Sequence, residues 1–193
     1  MKADGVGIGA AEAIVGQKHG HNTGKKTIAP STPHTSDNKY VSDMLASIEQ
    51  ADRTASTVSR KLQGMANLLN QLQGEKDDIV REQLARFFHV LRAFIREALH
   101  PTGDWSSDRI LAGKNVNMTS VADGKVLAVK GENIVAAVGE IPSLTRPPTT
   151  ESVQAVLESI GKAQKSVNKV RNNLSAARAH AARHGRESSG VTL

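Results

Sequence analysis

The chain has 193 residues, of which 38% are hydrophobic and 3% aromatic, with a formal net charge of +6 and no cysteine. This length permits one domain of ordinary size plus a tail, and no apolar run approaches the roughly 18 residues that a helical membrane span needs. Without cysteine there can be no disulfide framework, thiolate nucleophile or thiolate zinc site, and with so few rings the core must be aliphatic and thin, as in helix bundles.

Residues 1–38 are rich in Gly, Pro and His and show no sustained period, so they read as a disordered tail with no secretory signal peptide. Gly5-Val6-Gly7-Ile8-Gly9 lacks the preceding strand that a phosphate-binding loop requires. His19, His21 and His34 lie in the same tail, where no fixed geometry would hold a metal.

A first helix is expected over 39–73, capped by Ser36 or Asp37. Val41, Met44, Ile48, Ala51, Ala55, Val58, Leu62, Met65, Leu69 and Leu72 alternate in steps of three and four, the spacing of a heptad stripe. Gly74 closes this helix, and Glu75, Asp77 and Asp78 open the next at the positive end of its dipole. So short a connection forces an antiparallel turn.

The second helix is expected over 77–99, with a stripe of Val80, Leu84, Phe87, Leu91, Phe94 and Ala98, and stops at His100-Pro101. At about 1.5 Å per residue it reaches about 31 Å, against roughly 50 Å for its long neighbours. His89 and His100 read as surface or capping residues, since no carboxylate or hydroxyl partner can be placed beside either.

A β-hairpin is expected over about 114–138. Residues 115–122 and 125–130 are Val- and Met-rich runs around Asp123-Gly124, and Asn133 to Val138 reads as a further short strand. Such strands, about 20 to 25 Å long, would fill the length the second helix leaves uncovered.

The Pro147-Pro148 pair is a stiff approach to a third helix over 150–183, capped by Thr149 or Thr150. Its stripe runs Val153, Val156, Ile160, Ala163, Val167, Val170, Leu174, Ala177, Ala181, and residues 185–193 read as a second disordered tail. The fold class is therefore mainly α with a small β part: an elongated three-helix antiparallel coiled-coil rod plus a hairpin over 39–184.

The basic excess sits at the end, with seven basic and three acidic residues over 149–193. Lys162, Lys165, Lys169, Arg171 and Arg178 form a candidate interaction surface for an acidic partner. Nucleic acid is disfavoured because no aromatic residue is interleaved to stack on bases. No catalytic, cofactor-binding or metal-ligating set emerges, and an enzyme is not expected.

The order of elements resembles the rod-like core domain of bacterial flagellins and flagellin-like hook-associated proteins. Leu111-Ala112-Gly113-Lys114-Asn115-Val116 stands where that family tends to show Phe-Asn-Gly-x-x-Leu, and Ser166 to Leu174 is similar to its carboxy-terminal core helix, which commonly reads Val-x-x-x-Arg-x-x-Leu. The resemblance implies a structural or accessory protein acting by surface packing in a flagellum or related cell-surface assembly. Its partners would be flagellin-like subunits or flagellar secretion components, and its location extracellular; otherwise it would be cytoplasmic. The family's terminal filament helices have no counterpart in the tails, so polymerisation by the usual route is not expected. The alternative is a soluble helical adaptor binding an acidic partner or nucleic acid through the basic third helix.

Overall fold

The computed structural model describes residues 35–119 and 126–188, and the expectations for the amino-terminal tail to residue 34, for Asp123-Gly124 and for residues 189–193 lie outside them. The described part is mainly helical, with one two-stranded antiparallel sheet. Its elements are α1 (Thr35–Gly74), α2 (Asp78–Ala98), α3 (Trp105–Leu111), β1 (Val116–Thr119), β2 (Val126–Val129), α4 (Ile134–Gly139) and α5 (Thr150–Ser188).

The long helices α1 and α5 bury the stripes expected of them. From Met44 to Leu72 and from Val153 to Ala181, each described member of the two stripes is buried. Small residues such as Ala51, Ala55, Ala163 and Ala177 alternate with Leu, Ile and Val, letting the facing ridges interlock. The helices run antiparallel: Gln164 meets Gln63, whereas the later Arg171 meets the earlier Asp52. Both helices are longer than expected. α1 begins at Thr35, which places Ser36 and Asp37 inside it and not at its cap, and α5 continues through Gly185 to Ser188. Thr149 is the cap of α5, its Oγ1 accepting from the Ser152 amide at 3.1 Å.

α2 folds back on α1 through the connection after Gly74. Glu75 accepts from the Lys76 and Asp77 amides, and Asp77 accepts from the Ile79 and Val80 amides, so the acidic residues serve the turn and the helix start. The Arg81 guanidinium then donates to the carbonyls of Leu72 at 3.1 Å, Glu75 at 3.0 Å and Pro148 at 2.9 Å. It satisfies an orphan carbonyl of the last turn of α1 and ties α2 to the segment that leads into α5.

The face that α2 buries is not the expected one. Ala85, Phe88 and Ile95 are buried, with Leu84, Leu91 and Leu99 partly so, whereas Phe87 is 61% and Phe94 50% exposed. The stripe Val80, Leu84, Phe87, Leu91, Phe94, Ala98 is rotated by about one residue from the true packing face. Arg81 explains the rotation, because its three bonds fix its own face inward, and Ala85, Phe88 and Ile95 follow it at helical spacing.

Beyond α2, the short α3 takes up the flank of α1. Asp104 caps it, accepting from the Ser106 amide at 3.1 Å and from Ser47 Oγ of α1 at 3.2 Å. Ile110 and Leu111 then enter the core. No helix was expected here. The chain next makes a close crossing at Gly113, which has φ 82°, and Gly131. A Cβ on Gly113 would lie 2.8 Å from Cβ of Asn133, and one on Gly131 would run into the Lys114 backbone, so both positions require glycine.

β1 and β2 pair with Val116 opposite Val129 and Thr119 opposite Val126. Leu127 and Val129 point into the core and Val126 and Ala128 outward, the alternation of a half-buried strand. Asn173 of α5 donates to the Lys130 carbonyl at 3.0 Å, holding the end of β2 against that helix. The run Asn133 to Val138, expected as a strand, is instead the helix α4. Asn133 Oδ1 accepts from the Ala136 amide at 2.9 Å, and the buried residues are Ile134 and Val138, four apart. A strand would have buried Ala136 with them, yet Ala136 is exposed. The hairpin therefore ends at Val129, not near residue 138.

Candidate interaction surfaces

The five basic residues singled out on α5 divide between two faces. Arg171 and Arg178, seven apart, turn toward α1, where both guanidinium groups reach Asp52 at 3.5 and 3.6 Å. Lys169 bonds Glu132, in the turn between β2 and α4, at 2.6 Å. Lys162 and Lys165 are exposed and carry no ion pair among the described residues. Three of the five thus hold α5 to its neighbours, which leaves two to meet a partner. These pairs are partly exposed, so each contributes little to stability, on the order of 0 to 1 kcal/mol.

α2 carries two features that the basic character of α5 obscured. The first is apolar. Ile79, Val80, Phe87, Val90 and Phe94 are 71%, 36%, 61%, 49% and 50% exposed, and Val80, Phe87 and Phe94 fall seven apart on one flank. Lys61 of α1 lies 5.1 Å from the Phe94 ring centroid and is the cation at the edge of this stripe. The sequence signal was present in the doublets Phe87-Phe88 and Phe94-Ile95: two adjacent large apolar residues, repeated after seven, give a wider arc than one packing partner covers.

The second feature is cationic and lies on the opposite flank. Arg92 donates through Nη1 to Ser143 Oγ at 2.8 Å and through Nη2 to the Ile141 carbonyl at 2.7 Å. Its partial burial, reinforced by Arg96, pushes its pKa down. His89 sits edge-on to Phe88, and burial, then Arg146 and Arg92, hold its pKa below the ordinary 6.5. Glu82 is exposed and bonded to Arg86 at 2.7 Å; that bond and the Arg86 charge lower its pKa.

A shallow groove of about 290 Å³ lies between β2 and α5, lined by Leu127, Lys130, Asn173 and His180 among others, with no carboxylate or hydroxyl in its wall. Among the described residues there is no group of three or more His, Asp and Glu side chains placed to hold a metal ion, and no helix long and apolar enough to cross a membrane. His100 is exposed at the end of α2, with its amide bonded to the Glu97 carbonyl.

Fold and surface together define a helical bundle-like protein with a small β-hairpin. No protein-family model, curated protein or solved structure matches this chain.

Proposed function

We propose that this chain is a non-enzymatic packing protein of flagellin-like kind, a three-helix coiled-coil rod that joins a bacterial flagellum or related cell-surface assembly through lateral contact. The observation that carries the reading is the exposed apolar stripe of α2, from Val80 through Phe87 to Phe94. Exposed phenylalanines spaced along one helix are an ordered surface for a second helix, since burying the half of each that is exposed would contribute about 1 to 1.5 kcal/mol. The long pair α1 and α5 supplies a stiff support, and the order of long helix, short helix, hairpin and long helix supports the flagellin-like assignment.

Immunogold electron microscopy and co-sedimentation of purified flagella test it. Label along the filament, lost on Phe87→Ser and Phe94→Ser with the helical circular dichroism unchanged, is the expected result. A chain that never co-purifies with flagella ends the proposal.

A second reading, a soluble adaptor using α5 for an acidic partner, is favoured by exposed Lys162 and Lys165. In that case added salt would weaken partner capture steeply, and exchange of these two lysines would abolish it.

A further inference from the structure

Five described side-chain cations are matched by carboxylates, whereas three arginines gather beside one flank of α2 without one. Arg53 meets Glu49, Arg86 meets Glu82, Arg171 and Arg178 meet Asp52, and Lys169 meets Glu132. On one flank of α2, however, Arg92 and Arg96 follow His89 at helical spacing, and Arg146 lies in the segment that Arg92 bonds at Ile141 and Ser143 and that Arg81 bonds at Pro148. The charges that act on His89 are those of Arg146 and Arg92, and the charge that acts on Arg92 is that of Arg96. None is a carboxylate. Glu82 also feels Arg146, but it is already bonded to Arg86.

Arg92 is held in place by its bonds to Ile141 and Ser143, while its buried Nε has no partner. Arg96 and Arg146 are exposed and make no hydrogen bond or ion pair among the described residues. Like charges brought together raise the free energy of the unbound surface, and an anion placed among them removes that cost.

We propose that this flank docks an acidic peptide segment of a partner protein, whose carboxylates lie along α2 from His89 to Arg96 and across to Arg146. The arrangement favours a run of carboxylates over a single phosphate because Arg92 and Arg96 stand about 6 Å apart along α2 with Arg146 on a separate segment, not as a cup of converging donors. The guanidinium groups of Arg96 and Arg146 match carboxylates in two-pronged geometry, while Arg92, whose Nη atoms are already bonded, contributes its charge. A nucleic acid would need rings on which bases stack, yet Phe88 is buried and Phe87 and Phe94 lie on the opposite flank. This surface is separate from the apolar stripe and from α5, so its test does not depend on the packing function.

The test is a low-salt fluorescence titration of the full chain with a labelled hexaglutamate peptide. The double variant Arg96→Glu with Arg146→Glu should bind about tenfold more weakly. Lys162→Glu with Lys165→Glu, the same change of net charge on α5, should change binding by less than about twofold. If the first variant loses helical circular dichroism, Arg96→Gln with Arg146→Gln replaces it, with about a fivefold loss expected. Absence of binding by the unaltered chain, equal weakening by the two surfaces, or tighter binding of an oligothymidylate of equal charge would each overturn the proposal.

Discussion

The α1–α5 pair and helix α2 solve the same problem to different degrees. Each long helix offers a narrow stripe, one apolar residue in three or four, and the fold buries all of it from Met44 to Leu72 and from Val153 to Ala181; α2 offers a wider arc, of which the fold leaves one flank exposed. An apolar surplus over what a neighbour can bury marks a face left for something else, whereas a matched stripe marks architecture.

The sharpest way to break this comparison lies in two adjacent residues. Phe88→Ala removes a ring that is fully buried, and should destabilise the fold by about 4 kcal/mol in denaturant unfolding. A cost below about 1 kcal/mol would mean that Phe88 is not on the packing face of α2. Arg81→Met should come next, at about 2 kcal/mol, because three carbonyls at one end of the bundle lose their donor. Hydrogen exchange should quicken first at the end of α1 and the start of α5.

A smaller effect concerns His89. Its folded-state pKa lies below the ordinary 6.5, so as pH falls the unfolded chain takes up the proton first. The associated stability is complete above pH 6.5 and is lost as pH drops through the folded value. The His89→Gln variant should therefore show a flatter unfolding midpoint between neutral and mildly acidic pH than the unaltered chain. Smallest of all, Phe87→Ala should leave stability within about 0.5 kcal/mol, since that ring is largely solvent-exposed. A large loss there would mean the stripe is part of the core.

What could be read from the residues follows the same division. The stripes of α1 and α5 were legible because one apolar residue per turn leaves a single register, and the Val-rich pairing of β1 with β2 was legible from alternation. α2 was not, because Phe87-Phe88 and Phe94-Ile95 support two registers, and only the bonds of Arg81 select one. α4 was read as a strand because Ile-Val-Ala-Ala-Val is too short to display a period, and the capping side chain of Asn133 decided its conformation. α3 is shorter than two full turns and depends on Asp104, whose grip on Ser47 is a tertiary contact.

The basic residues on α5 were visible as a group, but their division was not. Arg171 and Arg178 join Asp52 across a separation of more than a hundred residues, so composition alone could not tell a docking surface from an internal tie. The cation group beside α2 is not evident in the sequence because Arg146 is remote from Arg92 and Arg96. Two of them, Arg92 and Arg96, come from a helix whose net charge is unremarkable.

The two helices that share the longest interface are also the two that lie farthest apart along the polypeptide, with every other described element between them. During synthesis, the aliphatic ridge from Met44 to Leu72 has emerged long before its opposite ridge exists. Until then α2 and α3 shelter only part of α1, and the remainder is a sticky nascent surface. A chaperone or a dedicated carrier that shields that ridge would have its strongest grip in this interval, and would be released by the arrival of α5.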